Sequence, residues 1–158
     1  MEDFNIQLIK FKDCDKGLRK NILNTIFLSF DNGLDPCLYN ETILQILFYK
    51  KILAGMICGI DNYELVKFNS PKGYIIENNK KGMFLYNLCI KPFFRKRGFG
   101  KILLKLFINS YKDCCDYFHV QIFEDNIPSL NIFKSCDFLE KKRMKTNNDK
   151  EFILLSNN

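Results

Sequence analysis

Tryptophan is absent from this chain of 158 residues, histidine occurs once, and no two cysteines stand at C-x-x-C spacing. One histidine and scattered cysteines do not make the usual ligand sets for zinc, which argues against a metal centre. The cysteines at 14, 37, 58, 89, 114, 115 and 136 form an odd set and read as reduced thiols, not as a disulfide framework. No apolar run is as long as a membrane span. Met1-Glu2-Asp3-Phe4 opens without the basic region and apolar core of a secretion signal, so the expected compartment is the cytoplasm. The sequon Asn40-Glu41-Thr42 carries no weight in that setting. Glycine and proline are too few for a low-complexity or fibrous chain, at eight and four.

What is abundant is apolar: 47% of residues, with 16 phenylalanines. That composition forms a core, and the length suits a single domain over residues 1–158. Phenylalanine, lysine, asparagine and isoleucine are all frequent, as a codon bias toward A and T would produce, so single choices among them mean little. The net charge is +6, and Lys91, Arg95, Lys96, Arg97, Lys101 and Lys105 alone supply that excess without one acidic residue between them. Nucleic-acid binding would spread basic and aromatic residues over a broad face. Here the charge gathers at one turn, which suits a small polyanion better, with no nucleic-acid or membrane partner expected.

Weak alternation over 4–11 predicts a first strand. Asp13 or Asp15 can cap a helix with Leu18, Ile22, Ile26 and Phe30 on one face, broken by Asp31-Asn32-Gly33 and the Asp35-Pro36 loop. A short helix is expected around Leu38–Leu44, then a hairpin of Ile46–Tyr49 and Ile52–Ile60 about Lys50-Lys51. The polar stretch 61–82 leaves room for one short strand at Gly73–Glu77. Met83–Ile90 is a strand. Phe99, Ile102, Leu103, Leu106 and Phe107 mark the inner face of the next helix. A strand at Tyr117–Phe123, a helix at Pro128–Ser135 and a hairpin of Phe138–Lys145 with Glu151–Leu155 about Asn147-Asn148-Asp149 complete the order β-α-α-β-β-β-α-β-α-β-β.

The most informative run lies between the strand at 83–90 and the helix that follows: Leu88-Cys89-Ile90-Lys91-Pro92-Phe93-Phe94-Arg95-Lys96-Arg97-Gly98-Phe99-Gly100-Lys101-Ile102-Leu103-Leu104. A strand that feeds a glycine-bearing turn at a helix N-terminus is suited to hold phosphate. Orphan amides and the helix dipole both favour an anion there. It is not a P-loop, because Ile102 follows Gly100-Lys101 where Ser or Thr is needed. It is not a dinucleotide fingerprint, because Leu103 stands where the third glycine belongs.

The run resembles motif A of the GCN5-related N-acetyltransferases: a strand, Pro, then Arg95-x-x-Gly98-x-Gly100-x-x-Leu103. A second block resembles motif B of the same superfamily. Val120-Gln121-Ile122-Phe123-Glu124-Asp125-Asn126 is followed at the family's spacing by Ser129, Ile132-Phe133 and Asp137-Phe138. Motif A covers about residues 83–112 and motif B about 117–138; the first third matches only in element order. The resemblance implies the acyl-CoA N-acyltransferase fold, an α/β (α+β) architecture. Its mixed, mostly antiparallel sheet of about seven strands is splayed at the cofactor site and flanked by about four helices.

It also implies acetyl-CoA as co-substrate, with no metal. Backbone of Leu88, Cys89 and Ile90 would pair with the pantetheine arm, and the Ile90 amide would polarise the thioester carbonyl. Main-chain groups of Arg95, Lys96, Arg97, Gly98, Phe99, Gly100 and Lys101 would hold the diphosphate. Side-chain changes at Lys96 or Phe99 should then matter little, and bulk at Gly98 or Gly100 much. Asn126 either caps the next helix or bonds the CoA arm, near Ser129 and Phe133. The Cys89 side chain alternates away and reads as a packed thiol. Two departures stand out: Phe133 replaces the family's usual tyrosine acid, and Asp137 replaces its glycine. Tyr86 stands where many relatives carry a glutamate base, so Tyr86, Asn87 and Glu124 are the candidate catalytic residues. His119 reads as structural or exposed.

The implied function is acetyl transfer to a primary amine by direct attack. The best-fitting acceptor is a small molecule such as glucosamine 6-phosphate, whose phosphate could meet Lys80, Lys81, Lys141, Lys142 or Arg143. Lys134-Ser135-Cys136 before Phe138 is faintly similar to glucosamine-phosphate acetyltransferases. The alternatives are a protein N-terminal acetyltransferase, or a CoA-binding domain with weak or no catalysis. The enzyme is expected as a monomer or homodimer.

Overall fold

Lys50 and Lys51 both take positive φ, 45° and 71°, and so form the tight two-residue turn that matches the twist of a hairpin. Its arms are β2 (Ile43–Tyr49) and β3 (Ile52–Asp61). The structure is a computed structural model that describes residues 3–29, 38–68, 74–145 and 149–158. The remaining strands are β1 (Phe4–Lys10), β4 (Gly82–Ile90), β5 (Tyr117–Phe123), β6 (Leu139–Lys145) and β7 (Glu151–Ser156). The helices are α1 (Lys16–Ser29), α2 (Asn62–Phe68), α3 (Phe99–Tyr111) and α4 (Ile127–Lys134). The seven strands form one mixed sheet in the order β1-β2-β3-β4-β5-β7-β6. β4 and β5 run parallel, while β1–β2, β2–β3, β5–β7 and β6–β7 are antiparallel. The parallel register runs from Gly82↔Tyr117 to Leu85↔Val120, and β4 continues beyond it to Ile90.

The second helix differs from the sequence expectation. Residues 38–44 are not helical: Thr42 donates its amide to the Tyr39 carbonyl (2.9 Å), a tight turn, and β2 starts at Ile43 as partner of Lys10. Sheet pairing outcompetes the helical spacing there. α2 instead follows β3 directly. Asp61 Oδ1 accepts the Tyr63 amide (2.7 Å), Glu64 pairs with Lys67 (2.9 Å), and Leu65 is buried. Tyr74–Glu77 is not a strand; side chains take the Ile75 N–H and C=O and the Glu77 N–H. On α3 Gly100, Leu103, Leu104 and Phe107 are buried, whereas Ile102 and Leu106 stay exposed at 40% and 39%. Phe30, the Asp31-Asn32-Gly33 break, Asp35-Pro36, Cys37, Ser70-Pro71, Lys72-Gly73 and Asn147-Asn148 lie outside the described residues.

The chain divides into two compact units. The first comprises Met1–Gly59 and Asn87–Leu103. Asp15 Oδ1 accepts the Leu18 amide (2.7 Å) and so starts α1, whose Ile22 and Ile26 are fully buried. Leu44, Ile46, Met56 and Cys58 are buried on the hairpin strands. The buried Gln45 gives its Nε2 to the Leu103 carbonyl (2.9 Å). The second unit comprises Ile60–Tyr86 and Leu104–Asn158. Phe107, Tyr117, Phe133, Phe138 and Phe152–Leu155 fill its interior. Apolar burial of this kind contributes roughly 1.5–3 kcal/mol per large side chain.

Candidate active site

β4 ends at Ile90, a 3₁₀ turn covers Pro92–Phe94, and α3 begins at Phe99. Two positions between them take positive φ: Lys96 at 58° and Gly98 at 80°. A Cβ placed on Gly98 would meet no protein atom within 4 Å, so φ and not crowding sets the requirement for glycine. The first bond into α3 is Ile102 N–H to the Gly98 carbonyl (3.1 Å). The amides of Phe99, Gly100 and Lys101 therefore precede any intrahelical acceptor, and Gly98 has no side-chain oxygen to cap them. Lys91, Arg95, Lys96, Arg97, Lys101 and Lys105 take part in none of the ion pairs among the described residues. Uncapped amides and the helix dipole thus meet at a turn whose sequence also carries Arg95, Lys96, Arg97 and Lys101, an arrangement that favours an anion.

The turn is anchored by aromatic packing inside the first unit. Phe99 lies 4.7 Å from Phe4, Phe4 lies 4.9 Å from Tyr49, and Tyr49 lies 5.6 Å from the buried Phe94. The Phe99 side chain is therefore a packing anchor, contrary to the expectation that it tolerates change. Arg95 Nε donates to the Ile90 carbonyl (2.9 Å) and ties the turn to the strand end. The Arg97 guanidinium sits 5.3 Å over Phe93. Lys91 N–H bonds the Ala54 carbonyl (2.9 Å), which fixes the end of β4 against β3. Gly55 permits that approach: a Cβ there would stand 2.8 Å from the Cys89 carbonyl oxygen.

Along β4, Asn87 has φ 51°, a left-handed residue inside a strand. Asparagine tolerates this conformation better than most, and its side chain hydrogen-bonds the buried Cys58. Leu88 and Ile90 are half-buried, and Cys89 is buried. Burial pushes the Cys89 thiol up to about 12, against a smaller opposing hydrogen bond from Ser29, so it stays protonated at neutral pH. That fits a packed thiol and not a nucleophile.

The second unit holds the remaining candidates. Tyr86 is half-buried and stacks on Phe84 at 5.7 Å and 10°. Glu124 is exposed and accepts from Arg143 Nη1 (2.8 Å); Arg143 Nε also holds Glu140 (2.6 Å). Asn126 caps α4, its Oδ1 accepting the Ser129 amide (3.3 Å). Phe133 is buried against Phe138. Asp137 has φ 65° and follows α4, and the Phe138 amide reaches back to the Phe133 carbonyl (3.3 Å). A glycine would serve the same left-handed helix end. His119 is fully buried, and burial lowers its pKa to about 3. Its bonds, and those of Asn62 and Tyr117, are features that no local motif announces.

Among the described residues no group of three His, Cys, Asp or Glu could hold a metal ion. None of the described helices is long and apolar enough to cross a membrane. Residues 23–138 match the model of the acetyltransferase (GNAT) family. No curated protein matches significantly. Among solved structures, an acyl-CoA N-acyltransferase from Pseudomonas aeruginosa is similar with a TM-score of 0.72 at 10% identity over 98% of this chain and 99% of that one. The ribosomal-protein-S18-alanine N-acetyltransferase from Escherichia coli gives 0.67 at 11% identity, covering 96% and 92%. A putative acetyltransferase from Salmonella typhimurium, solved with its cofactor acetyl-CoA, gives 0.65 at 12% identity, covering 98% and 92%.

Proposed function

Because the chain belongs to the acetyltransferase (GNAT) family, we propose that it moves an acetyl group from acetyl-CoA to a primary amine by direct attack. The observation that carries this is the Arg95–Lys101 turn, with two left-handed residues, amides ahead of the first helical bond, and cations outside every described ion pair. These residues fit the diphosphate of CoA. The amides of Phe99, Gly100 and Lys101 would donate to it, each charge-assisted bond contributing roughly 1.5–3 kcal/mol. When bound, acetyl-CoA supplies the activated acyl group. Leu88 and Ile90 would offer main-chain groups to its arm, and the Ile90 amide would polarise the thioester carbonyl. The Ile90 carbonyl is already engaged by Arg95, which leaves its N–H as the contributing group. Asn126 uses Oδ1 as a cap, so its Nδ2 carries the donors that would reach the arm. Ser129 and Phe133 complete the motif on α4.

An ammonium acceptor must lose a proton before it attacks. Tyr86, Asn87 and Glu124 are the candidate members of a proton relay. The Glu124 carboxylate is held by Arg143, so Tyr86 is the better first member. Phe133 has no proton for the departing thiolate, which slows transfer without forbidding it; general acids contribute typically about 10²–10⁴-fold. A CoA-binding domain with weak catalysis is the second reading, and Phe133 is the observation that favours it.

The acceptor is a small amine, with glucosamine 6-phosphate as the first compound to try. Lys80 is paired with Glu77 (2.6 Å) and Arg143 with Glu124 and Glu140, so a sugar phosphate there competes with carboxylates. Protein N-termini are the other acceptor class, as in the similar Escherichia coli enzyme. The free thiols of Cys14, Cys58, Cys89, Cys114, Cys115 and Cys136 suit a reducing cytoplasm. The whole chain acts as one domain, as a monomer or homodimer. The test is thiol release from acetyl-CoA over a panel of amines, amino-sugar phosphates and peptides. Turnover with one class identifies the acceptor; tight CoA binding with no turnover favours the weak-catalysis reading.

A further inference from the structure

Side chains take the Ile75 N–H and C=O and the Glu77 N–H, while the Glu77 carbonyl accepts the Lys80 amide (3.4 Å). Tyr117 Oη accepts the Glu77 amide (2.9 Å) and donates to the Ile75 carbonyl (2.9 Å). Asn62 Nδ2 donates to that same carbonyl (3.2 Å) and to Tyr117 Oη (2.9 Å). His119 Nδ1 accepts the Ile75 amide (3.3 Å). Nδ1 is therefore the unprotonated nitrogen, and Nε2–H donates to Asn62 Oδ1 (2.6 Å). Asn62, Tyr117 and His119 are 7%, 1% and 0% exposed, and every polar atom among them is satisfied. Gly82 makes room for the crossing: a Cβ there would strike Asn62 Nδ2 and the Tyr117 ring. A satisfied buried network of this kind specifies one arrangement, because breaking any member leaves others unpaired.

What the network positions is aromatic. Tyr74, next to the pinned Ile75, meets Phe84 edge-on at 4.9 Å and 84°. Phe84 packs on His119 at 5.2 Å and stacks on Tyr86 at 5.7 Å and 10°. We propose that residues 74–77 are a strap, clasped by Asn62, Tyr117 and His119, that fixes the Tyr86 ring through Tyr74 and Phe84. His119 and Tyr117 are then positioning residues for the acceptor half of the reaction. Neither needs to touch substrate. The proposal rests on the acetyl-transfer reading for its kinetic consequence, and on geometry alone for the placement of Tyr86.

The test compares the full-length parent with His119→Leu, His119→Gln and Tyr117→Phe. Steady-state kinetics are run with the best acceptor of the panel, and CoA binding is followed by calorimetry. His119→Leu should lower kcat/KM for the acceptor about tenfold or more while the Kd for CoA stays within about twofold, since misplacement of an oriented group costs rate and not cofactor affinity. His119→Gln, which can both accept from Ile75 and donate to Asn62, should restore most of the loss. Unchanged kinetics with only a lower Tm overturns the proposal, as does a parallel loss of CoA affinity. If His119→Leu does not fold, Tyr117→Phe carries the same comparison with a milder defect. A readout independent of turnover is the Tyr86 ring resonance, assigned with Tyr86→Phe. It should shift in Tyr117→Phe; an unmoved Tyr86 overturns the strap. A parent that binds no CoA while its Tyr86 resonance responds to Tyr117→Phe would sink the acetyl-transfer reading and leave the strap standing.

Discussion

Phe133 meets Phe138 edge-on, ring centroids 5.1 Å apart at 84°. Phe133 is only 2% exposed, so a hydroxyl added to its ring would lie inside the packing of α4. Phe133→Tyr should raise kcat for thiol release and leave the Kd for CoA unchanged. The size of the rise measures how far the missing proton limits the reaction, within the roughly 10²–10⁴-fold range of general acids. An unchanged kcat would show that another donor already serves.

Asp137 follows α4 with φ 65°. A left-handed non-glycine residue costs roughly 1–2 kcal/mol, and glycine gives back roughly 0.5–1 kcal/mol through the entropy of the unfolded chain. Asp137→Gly should therefore stabilise the fold by about 0.5 kcal/mol in urea titrations. CoA affinity should not move. Destabilisation would mean that the Asp137 side chain has a role beyond the helix end.

Burial holds His119 at about 3, well below its ordinary 6.5. Between these values the unfolded chain takes up a proton that the native state refuses. The stability contribution is complete above pH 6.5 and is lost as pH falls toward 3. One such proton gives a slope of up to about 1.4 kcal/mol per pH unit. Denaturation midpoints should fall between pH 6.5 and 5, before carboxylates titrate, and His119→Gln should flatten that limb. An equal slope in both proteins would contradict the buried neutral ring.

A Cβ on Gly55 would stand 2.8 Å from the Cys89 carbonyl oxygen and 2.5 Å from Ile90 Cδ1. The isoleucine tip can turn away, but the backbone oxygen cannot without moving β4. Gly55→Ala should weaken CoA binding about tenfold, with a stability loss of roughly 1–3 kcal/mol from overpacking. Unaltered affinity would show that the strand end yields without consequence.

Local chemistry was readable in the sequence; packing between distant segments was not. The Gly98–Gly100 turn, the Lys50-Lys51 hairpin and the Asn126 cap are written in contiguous residues, and their geometry follows from φ preference and capping. The helix expected at 38–44 is absent because Tyr39–Thr42 closes a turn and Ile43 and Leu44 pair with β1, while α2 is short and sits in a polar stretch. The apolar spacing of α3 promised a burial that Ile102 and Leu106 do not have. The Asn62–Tyr117–His119 clasp joins residues 55 and 57 positions apart, and nothing local foretells such a meeting. The Phe4–Phe99 anchor of the turn was hidden for the same reason.

The turn at Gly98 bears the central claim, and calorimetry with CoA on the parent and on Gly98→Val tests it most directly. A valine at φ 80° strains the backbone but meets no neighbouring atom, so the fold should survive with a loss of about 1–2 kcal/mol. The parent should bind CoA with measurable heat, and Gly98→Val should bind at least about tenfold more weakly, since the amides of the turn no longer converge. No heat with the parent, or equal affinity in the two proteins, would contradict the account.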